Sequence, residues 1–341
     1  MIVLITDAAP PQVNGVVVTI MNTAQQLRRL GHEVELITPA DFTTVPMPLY
    51  RDIPVSILPG YRLRRRLEAS AVQAQPLYFH LFTEGPLGLA ARNYLVRRKL
   101  RFTTSYHTDF PQYLRQYLKI PPTVTWRALR WFHRPAEHVL VSTPAMAELL
   151  ASKGIPQVAL WGRGIDPDIF TKGTATEPPY FLYAGRVARE KGIEEFLRLE
   201  LPGEKVVVGD GPHLPALQRR FPAARYVGRK SQREMAVLMG GATALVFPSR
   251  TDTFGIVMAE ANSCGTPVAA FPVRGPLDVV QPGLTGFLST NLEEAARCCL
   301  ELDRDKIAAY ARERFSWQHC TAQFLGNLRE ARRLGEQPAI A

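Results

Sequence analysis

The chain has 341 residues, 46% of them hydrophobic, with 41 Lys and Arg against 31 Asp and Glu, for a formal net charge of +10. That length holds two domains of ordinary size, and no apolar run reaches the roughly 18 residues that span a bilayer. The cysteines Cys264, Cys298, Cys299 and Cys320 form no Cys-x-x-Cys pair, which argues against a zinc ribbon or a disulfide framework and for reduced thiols in a cytosol.

The charge is unevenly placed. Residues 1–165 hold 19 Lys/Arg and 10 Asp/Glu (19 − 10 = +9), whereas residues 166–341 hold 22 and 21 (22 − 21 = +1). A one-sided basic field points to an anionic partner: a membrane, a nucleic acid or an acidic substrate.

Met1–Ile5 runs straight into Thr6-Asp7, which predicts a first strand and not a signal peptide. The loop Pro10–Gly15, a helix from Val16 to Leu30 stopped by Gly31, and a strand Val34–Thr38 make a βαβ opening and imply a parallel sheet. The G-x-G-x-x-G fingerprint is absent, which argues against a nicotinamide site. The run Tyr61–Leu67 carries Arg62, Arg64, Arg65 and Arg66, and Arg97-Arg98-Lys99 with Arg101 forms a second basic cluster. Such runs are either solvated helix faces or attachment to an anionic bilayer, where each cation contributes on the order of 1 kcal/mol. The aromatics are not spaced as a stacking platform, so nucleic acid ranks well below membrane.

Arg101–Phe110 reads as a strand and a loop that places His107 and Asp109 at a strand's carboxyl end. Tyr113, Tyr117 and Trp126 follow, as core or as acceptor groove. Glu137–Pro144 reads as a strand and stop, and Met146–Lys153 as a short helix. Gly, Pro and Thr cluster near 165–178, which predicts a linker. Asp166-Pro-Asp168 has the Asp-x-Asp spacing of a metal site but lies in that linker and reads as a cap.

Tyr180–Ala184 opens a second sheet. In the loop Gly185–Gly192, Arg186 and Lys191 stand five residues apart, either as a surface basic loop or as a guanidinium fork and an ammonium point charge that can both face one diphosphate. Lys205–Pro212 and Arg225–Lys230 each read as a strand and turn. Ala244–Phe247 is a buried-type strand broken by Pro248, and from Gly255 the residues suit a short helix that Gly265 and Pro267 stop. A loop there lies at a strand's carboxyl end, and the following helix N-terminus favours a phosphate. Asp252 lies in that loop. Glu260 lies five residues into the helix, among Ile256, Val257 and Cys264. A carboxylate on an apolar face is costly unless something hydrogen-bonds it, and sugar or ribose hydroxyls would do so. Beyond it, Val268–Phe271 and Gly286–Leu288 read as strands, Asn291–Leu302 and Lys306–Phe315 as helices, and the residues after Trp317 as a final helix to about Leu334.

The segment from Asp252 through seven spacer residues to Glu260 resembles the signature of retaining glycosyltransferases of family four, which have the GT-B fold. The usual first residue there is Glu; Asp252, within Thr-Asp-Thr-Phe-Gly255, resembles the subgroup that includes mannosyl- and sulfoquinovosyl-transferases acting on lipids. The resemblance implies an α/β protein with two Rossmann-like domains facing across a cleft. These are an acceptor-binding domain over 1–165, a nucleotide-sugar-binding domain over 166–318, and a C-terminal helix over 319–341 that packs back on the first domain.

It also implies roles for residues that match the family's motifs. Gly15, in Asn14-Gly15-Val16, lets backbone approach the donor diphosphate. His107, in His107-Thr-Asp109, lies beside the transferred sugar and offers it a ring N–H. Arg186 and Lys191, with Gly185 and a weaker Arg189, grip the leaving phosphates, and the base docks near Arg229. Asp252, Thr253, Phe254 and Gly255 hold the transferred sugar, and Glu260 the ribose. With that positive charge in place a metal is unnecessary and no cofactor is expected. The implied reaction moves a hexose from GDP-mannose or a UDP-sugar to a hydroxyl of a membrane lipid such as diacylglycerol, at the cytoplasmic face of the membrane. A soluble sugar or sugar-phosphate acceptor, a GT-B phosphorylase or epimerase, and a non-catalytic sugar-binding protein are the alternatives.

Overall fold

A computed structural model describes residues 1–12, 14–47, 50–73, 76–107 and 109–332. The chain divides into two compact units, Met1–Gly162 with Thr321–Ala341, and Arg163–Cys320.

The first unit is built on six parallel strands: β1 (Ile2–Ile5), β2 (Val34–Ile37), β5 (Tyr78–Leu81), β6 (Thr103–Ser105), β7 (Val139–Val141) and β8 (Val158–Leu160). Their order is β2-β1-β5-β6-β7-β8, and β3 (Thr44–Met47) with β4 (Tyr50–Ser56) forms a separate antiparallel hairpin. The sheet is covered on both faces, so β1 is buried along its whole length and reads as an unbroken apolar run. Its side chains alternate between two cores. Val3 and Ile5 pack with the helices Gly60–Gln73, Pro86–Arg98 and Pro122–His133 through Leu63, Leu67, Leu87, Ala91, Leu95 and Phe132. Ile2 and Leu4 pack on the other face with Ile20, Ala24, Leu27, Trp161 and Phe324.

The last helix is Trp317–Asn327, shorter than the pattern predicts; the expected end at Leu334 lies outside the described residues. The chain leaves it as an extended segment, with Glu330 bridged antiparallel to Tyr78 and the Ala331 N–H donating to the Leu77 carbonyl at 2.7 Å. The reason is an open edge. β6 pairs with β5 only at His80 and Leu81, which leaves the start of β5 needing a partner.

The second unit repeats the plan: β9 (Tyr180–Ala184), β10 (Glu204–Val208), β11 (Arg225–Gly228), β12 (Ala244–Phe247), β13 (Val268–Ala270) and β14 (Gly286–Leu288), in the parallel order β11-β10-β9-β12-β13-β14. The chain winds outward from β9 through β10 and β11, then returns to place β12 on β9's other side. The carboxyl ends of β9 and β12 therefore flank the point where the winding reverses, which is where open α/β sheets bind ligands. In the first unit that point falls between β1 and β5.

Candidate active site

Two loops meet at the reversal point of the second unit. The loop after β9 ends at Gly192, whose φ of +66° favours glycine and whose added Cβ would stand 2.8 Å from the Pro248 carbonyl oxygen at the start of the loop after β12. Across that seam the Lys191 ammonium donates to Asp252 Oδ1 at 2.6 Å, with the two side chains 23% and 21% exposed. The second carboxylate oxygen, Oδ2, is buried and has no hydrogen-bond partner among the described residues. A carboxylate held by one oxygen with its other oxygen dry and unmatched is set to accept a hydroxyl proton.

The β9 loop is fixed from below. The buried Tyr183 hydroxyl, pushed well above its ordinary pKa by burial, donates to the Arg186 carbonyl at 2.8 Å. The Val187 N–H donates to the Asp210 carbonyl at 2.8 Å, which ties the turn to the loop after β10. Arg250 is a clamp: it pairs with Glu195 and lies over the Phe271 ring at 3.5 Å.

Gly255 begins the helix Ile256–Ser263 at φ +77°, with Met258 Cε 2.7 Å and Phe247 Cζ 2.8 Å from where a Cβ would stand. Glycine is favoured at that entry, and it brings no capping side chain of its own to the helix N-terminus, the end that favours an anion. One turn in, Glu260 is 7% exposed, and its carboxylate accepts no hydrogen bond among the described residues. Burial alone pushes its pKa up to about 7.

Gly255 stands at the N-terminus of the helix, and Asp252 lies in the loop before it. The Phe254 ring is a core group, edge-on to Phe315 at 6.1 Å, so only its backbone is available to a ligand. Gly15 is the first helical residue of Gly15–Arg29, and the Asn14 side chain already accepts from the Val16 and Val17 N–H groups, each at 3.0 Å. Trp126 is buried and stacks on Tyr106 at 6.2 Å, which makes it core; the side chains of Tyr113 and Tyr117 lie outside the described residues.

Of the four arginines in the basic run, Arg66 turns inward to Glu35 at 2.5 Å and Asp41 at 2.8 Å. Arg64 pairs with Glu68, which Arg98 shares. Arg62 and Arg65 stay exposed and form no ion pair among the described residues. Arg229 is exposed at the end of β11, two strands from β9. Thr253 is half-buried beside Asp252. In the linker, Asp166 Oδ1 accepts from the Asp168 N–H at 3.0 Å, as a turn does. Among the described residues no group of three His, Cys, Asp or Glu side chains stands close enough to hold a metal ion.

In the first unit His107 follows β6, with Nε2 2.9 Å from the Ser105 hydroxyl and its ring between Phe82 and Trp161, each with its ring centre 5.9 Å away. Asp7, which sequence reasoning passed over, sits at that unit's reversal point. Its Oδ1 accepts from the Leu87 N–H at 2.8 Å, and its Oδ2 from Thr83 Oγ1 at 2.8 Å and the Gly88 N–H at 3.2 Å. It caps a helix 79 residues away, and no local pattern reveals such a partner. Burial raises its pKa against these bonds.

The chain has two parallel Rossmann-like sheets, the pair that GT-B glycosyltransferases are built from, and the second carries a cation bridged to a carboxylate at its reversal point. Residues 13–169 match the model of Glycosyltransferase Family 4, and residues 165–312 that of Glycosyl transferases group 1. The chain belongs to the family-four glycosyltransferases of the GT-B fold. It is 29% identical over 319 residues to a GDP-mannose-dependent alpha-mannosyltransferase of Mycobacterium tuberculosis, covering 84% of this chain and 83% of that one. It is 26% identical to the sulfoquinovosyl transferase SQD2 of Arabidopsis thaliana, covering 89% and 68%. Among solved structures, the sucrose-phosphate synthase of Thermosynechococcus elongatus superposes with a TM-score of 0.75 at 21% identity, covering 95% and 97%. Anabaena Alr3699/HepE, in complex with UDP and glucose, superposes at 0.69 with 16% identity, covering 96% and 98%.

Proposed function

We propose that this glycosyltransferase is a retaining hexosyltransferase that uses GDP-mannose or a UDP-sugar, needs no metal, and glycosylates a hydroxyl of a membrane lipid. The observation that carries the donor half is the Lys191–Asp252 bridge at the reversal point, with its unmatched buried oxygen. Lys191 and Arg186 neutralise the departing diphosphate together with the helix N-terminus at Gly255. Asp252 Oδ2 accepts from a hydroxyl of the transferred sugar, and Glu260 accepts from the ribose. Gly185, Thr253 and the backbone of Phe254 shape the pocket, and Arg229 lies toward the base. His107 takes a hydroxyl of the sugar. The acceptor oxygen attacks the anomeric carbon on the face the phosphate leaves, the bond to the phosphate oxygen breaks, and that oxygen takes the acceptor's proton. The names of the relatives, a GDP-mannose-dependent enzyme and a sulfoquinovosyl transferase, agree with this substrate class.

A thermal-shift panel tests the donor. GDP or UDP raises the melting temperature by mass action, and a panel in which no nucleoside diphosphate shifts it removes the donor site. EDTA leaves turnover intact; full loss restored by Mg²⁺ would instead require a metal-held diphosphate.

The lipid half rests on the helices that cover one face of the first sheet. Pro86–Arg98 and Pro122–His133 contain no acidic residue. Their outer surface carries Arg97 and Arg127, with Trp131 53% exposed, and the neighbouring helix adds Arg62 and Arg65 beside Leu58, which is 91% exposed. Exposed cations interleaved with apolar groups suit an anionic lipid surface, in keeping with a site at the inner face of the membrane. Among the described residues no helix is long and apolar enough to cross one. The double variant Arg62→Ser/Arg65→Ser is expected to weaken binding to vesicles containing phosphatidylglycerol by about 30-fold, at about 1 kcal/mol per charge. Arg66→Ser should act through stability instead, because its partners are Glu35 and Asp41. Unchanged co-sedimentation of the double variant ends the membrane reading.

A further inference from the structure

We propose that Glu84 binds the acceptor through a hydroxyl next to the one that reacts, with the buried His133 as the residue that positions its carboxylate. The proposal rests on the reading above, with the donor held by the second unit and the acceptor by the first.

Glu84 lies in the short loop between β5 and the helix Pro86–Arg98, at the carboxyl end of the first sheet, where its winding reverses. Asp7 ties that loop down on both sides of Glu84. Thr83 Oγ1 accepts from the Asp7 N–H at 2.7 Å and donates to Asp7 Oδ2, and the Asp7 carboxylate also accepts from the Leu87 and Gly88 N–H groups. Both oxygens of Asp7 therefore serve the fold. Glu84 differs. Its side chain is 12% exposed, and among the described residues only the His133 ring donates to it, with Nε2 3.2 Å from Oε1. A carboxylate offers about four lone-pair sites, and a largely covered one that meets a single donor is short of partners. Burial raises the pKa of Asp7, and the charge of Glu84 beside it raises it further.

His133 ends the helix Pro122–His133 and is fully buried. Its Nδ1 stands 2.8 Å from Thr104 Oγ1 on β6, its carbonyl accepts from Gln157 Nε2 at 3.0 Å, and the Tyr106 ring lies edge-on to it at 6.3 Å. A carboxylate only accepts, so Nε2 carries the proton in the bond to Glu84, whichever way the threonine hydroxyl turns. Apolar groups of the same shape often replace a buried pair of this kind without loss of stability. Stability alone therefore does not account for the pair at this end of the sheet.

The remaining oxygen, Oε2, accepts as well, so it selects a group that donates, such as a hydroxyl of a neutral head group. The attacking hydroxyl is not that group, because its proton passes to the departing phosphate oxygen. The acceptor thus carries a second hydroxyl near the reacting one, as the head group of a glycolipid does. Diacylglycerol, with a single hydroxyl, does not.

The test compares a monohexosyl diacylglycerol with diacylglycerol in mixed micelles, with GDP-mannose and with UDP-glucose as donors. Wild type is expected to favour the glycolipid at least tenfold in kcat/KM. Glu84→Gln keeps the shape and the bond from His133; it should raise acceptor KM about tenfold, leave donor KM unchanged and bring the two lipids level. His133→Phe should have the same effect through a misplaced carboxylate, and should add nothing in a Glu84→Gln background. His133→Gln, whose amide still donates, should recover part of the loss. A purely structural pair would lower the melting temperature without separating acceptor KM from donor KM. Equal use of the two lipids by wild type, or an unchanged acceptor KM in folded Glu84→Gln, overturns the proposal. Turnover on a soluble hexose phosphate and on neither lipid removes the lipid reading instead. The same Glu84→Gln comparison on that acceptor then decides the part given to Glu84.

Discussion

Lys191→Ala is expected to lower kcat/KM by about a thousandfold while the protein still folds. Removing one preordered donor from a developing oxyanion costs about 3–4 kcal/mol of transition-state stabilisation, and the leaving diphosphate is such a charge. Lys191 stands at the seam between the loops after β9 and β12, fixed on Asp252 at 2.6 Å. Its loss also frees Asp252 to swing, which adds to the effect. The fold survives because the pair is only about four-fifths covered, at 23% and 21% exposure, and a partly solvated carboxylate tolerates losing its partner. Arg186→Ala should cost about a hundredfold, since its loop is held by Tyr183 independently of the arginine's charge. Lys191→Arg should rescue poorly, because a planar fork does not reproduce a point charge in that space. The check is release of nucleoside diphosphate in a coupled assay, with a melt beside it. Wild-type turnover in Lys191→Ala removes the phosphate role.

Glu260→Gln has the second-largest expected effect, and it acts in two directions. The folded carboxyl has its pKa raised from 4.5 to about 7 by burial. Between those values the folded chain binds more protons than the unfolded one, so stability is fully present below about pH 4.5 and is lost as pH rises toward 7. The loss is on the order of 3 kcal/mol by pH 8. Gln carries no such penalty, so the variant should melt above wild type at pH 8 and level with it at pH 4.5. It should nonetheless bind nucleoside diphosphate at least tenfold more weakly, because a charged acceptor is replaced by a neutral one. Wild-type affinity should fall as pH drops below about 7 for the same reason. Parallel melts and titrations at pH 5 and 8 check this. A variant no more stable at pH 8, with unchanged affinity, contradicts both the buried charge and the ribose contact.

Much of the site was legible because its parts are local. The run Ala244–Phe247, the break at Pro248, and Gly255 and Gly265 announce a strand, a loop and a helix, and the structure has them. The apolar neighbours of Glu260 announced its burial. What the sequence does not print is strand order. Nothing in residues 180–192 or 244–255 says that β9 and β12 are neighbours, so the Lys191–Asp252 bridge, 61 residues apart, appears only in three dimensions. Arg66 was misread for the same reason: a basic run shows a helix, but Glu35 and Asp41 decide which arginine turns inward. Phe254 sits in a binding motif yet points to the core, because the glycine-led turn after it sends the ring toward Phe315. Glu84 reads as an ordinary loop residue, and only the packing of the helix Pro122–His133 on β6 brings His133 to it from 49 residues away.

Calorimetric titration of nucleoside mono- and diphosphates into wild type and Lys191→Ala tests the donor site most directly. Wild type should hold GDP or UDP at least tenfold tighter than the matching monophosphate, and the gap should close in Lys191→Ala. Equal affinity for mono- and diphosphate in wild type would show that the seam between the β9 and β12 loops holds no β-phosphate.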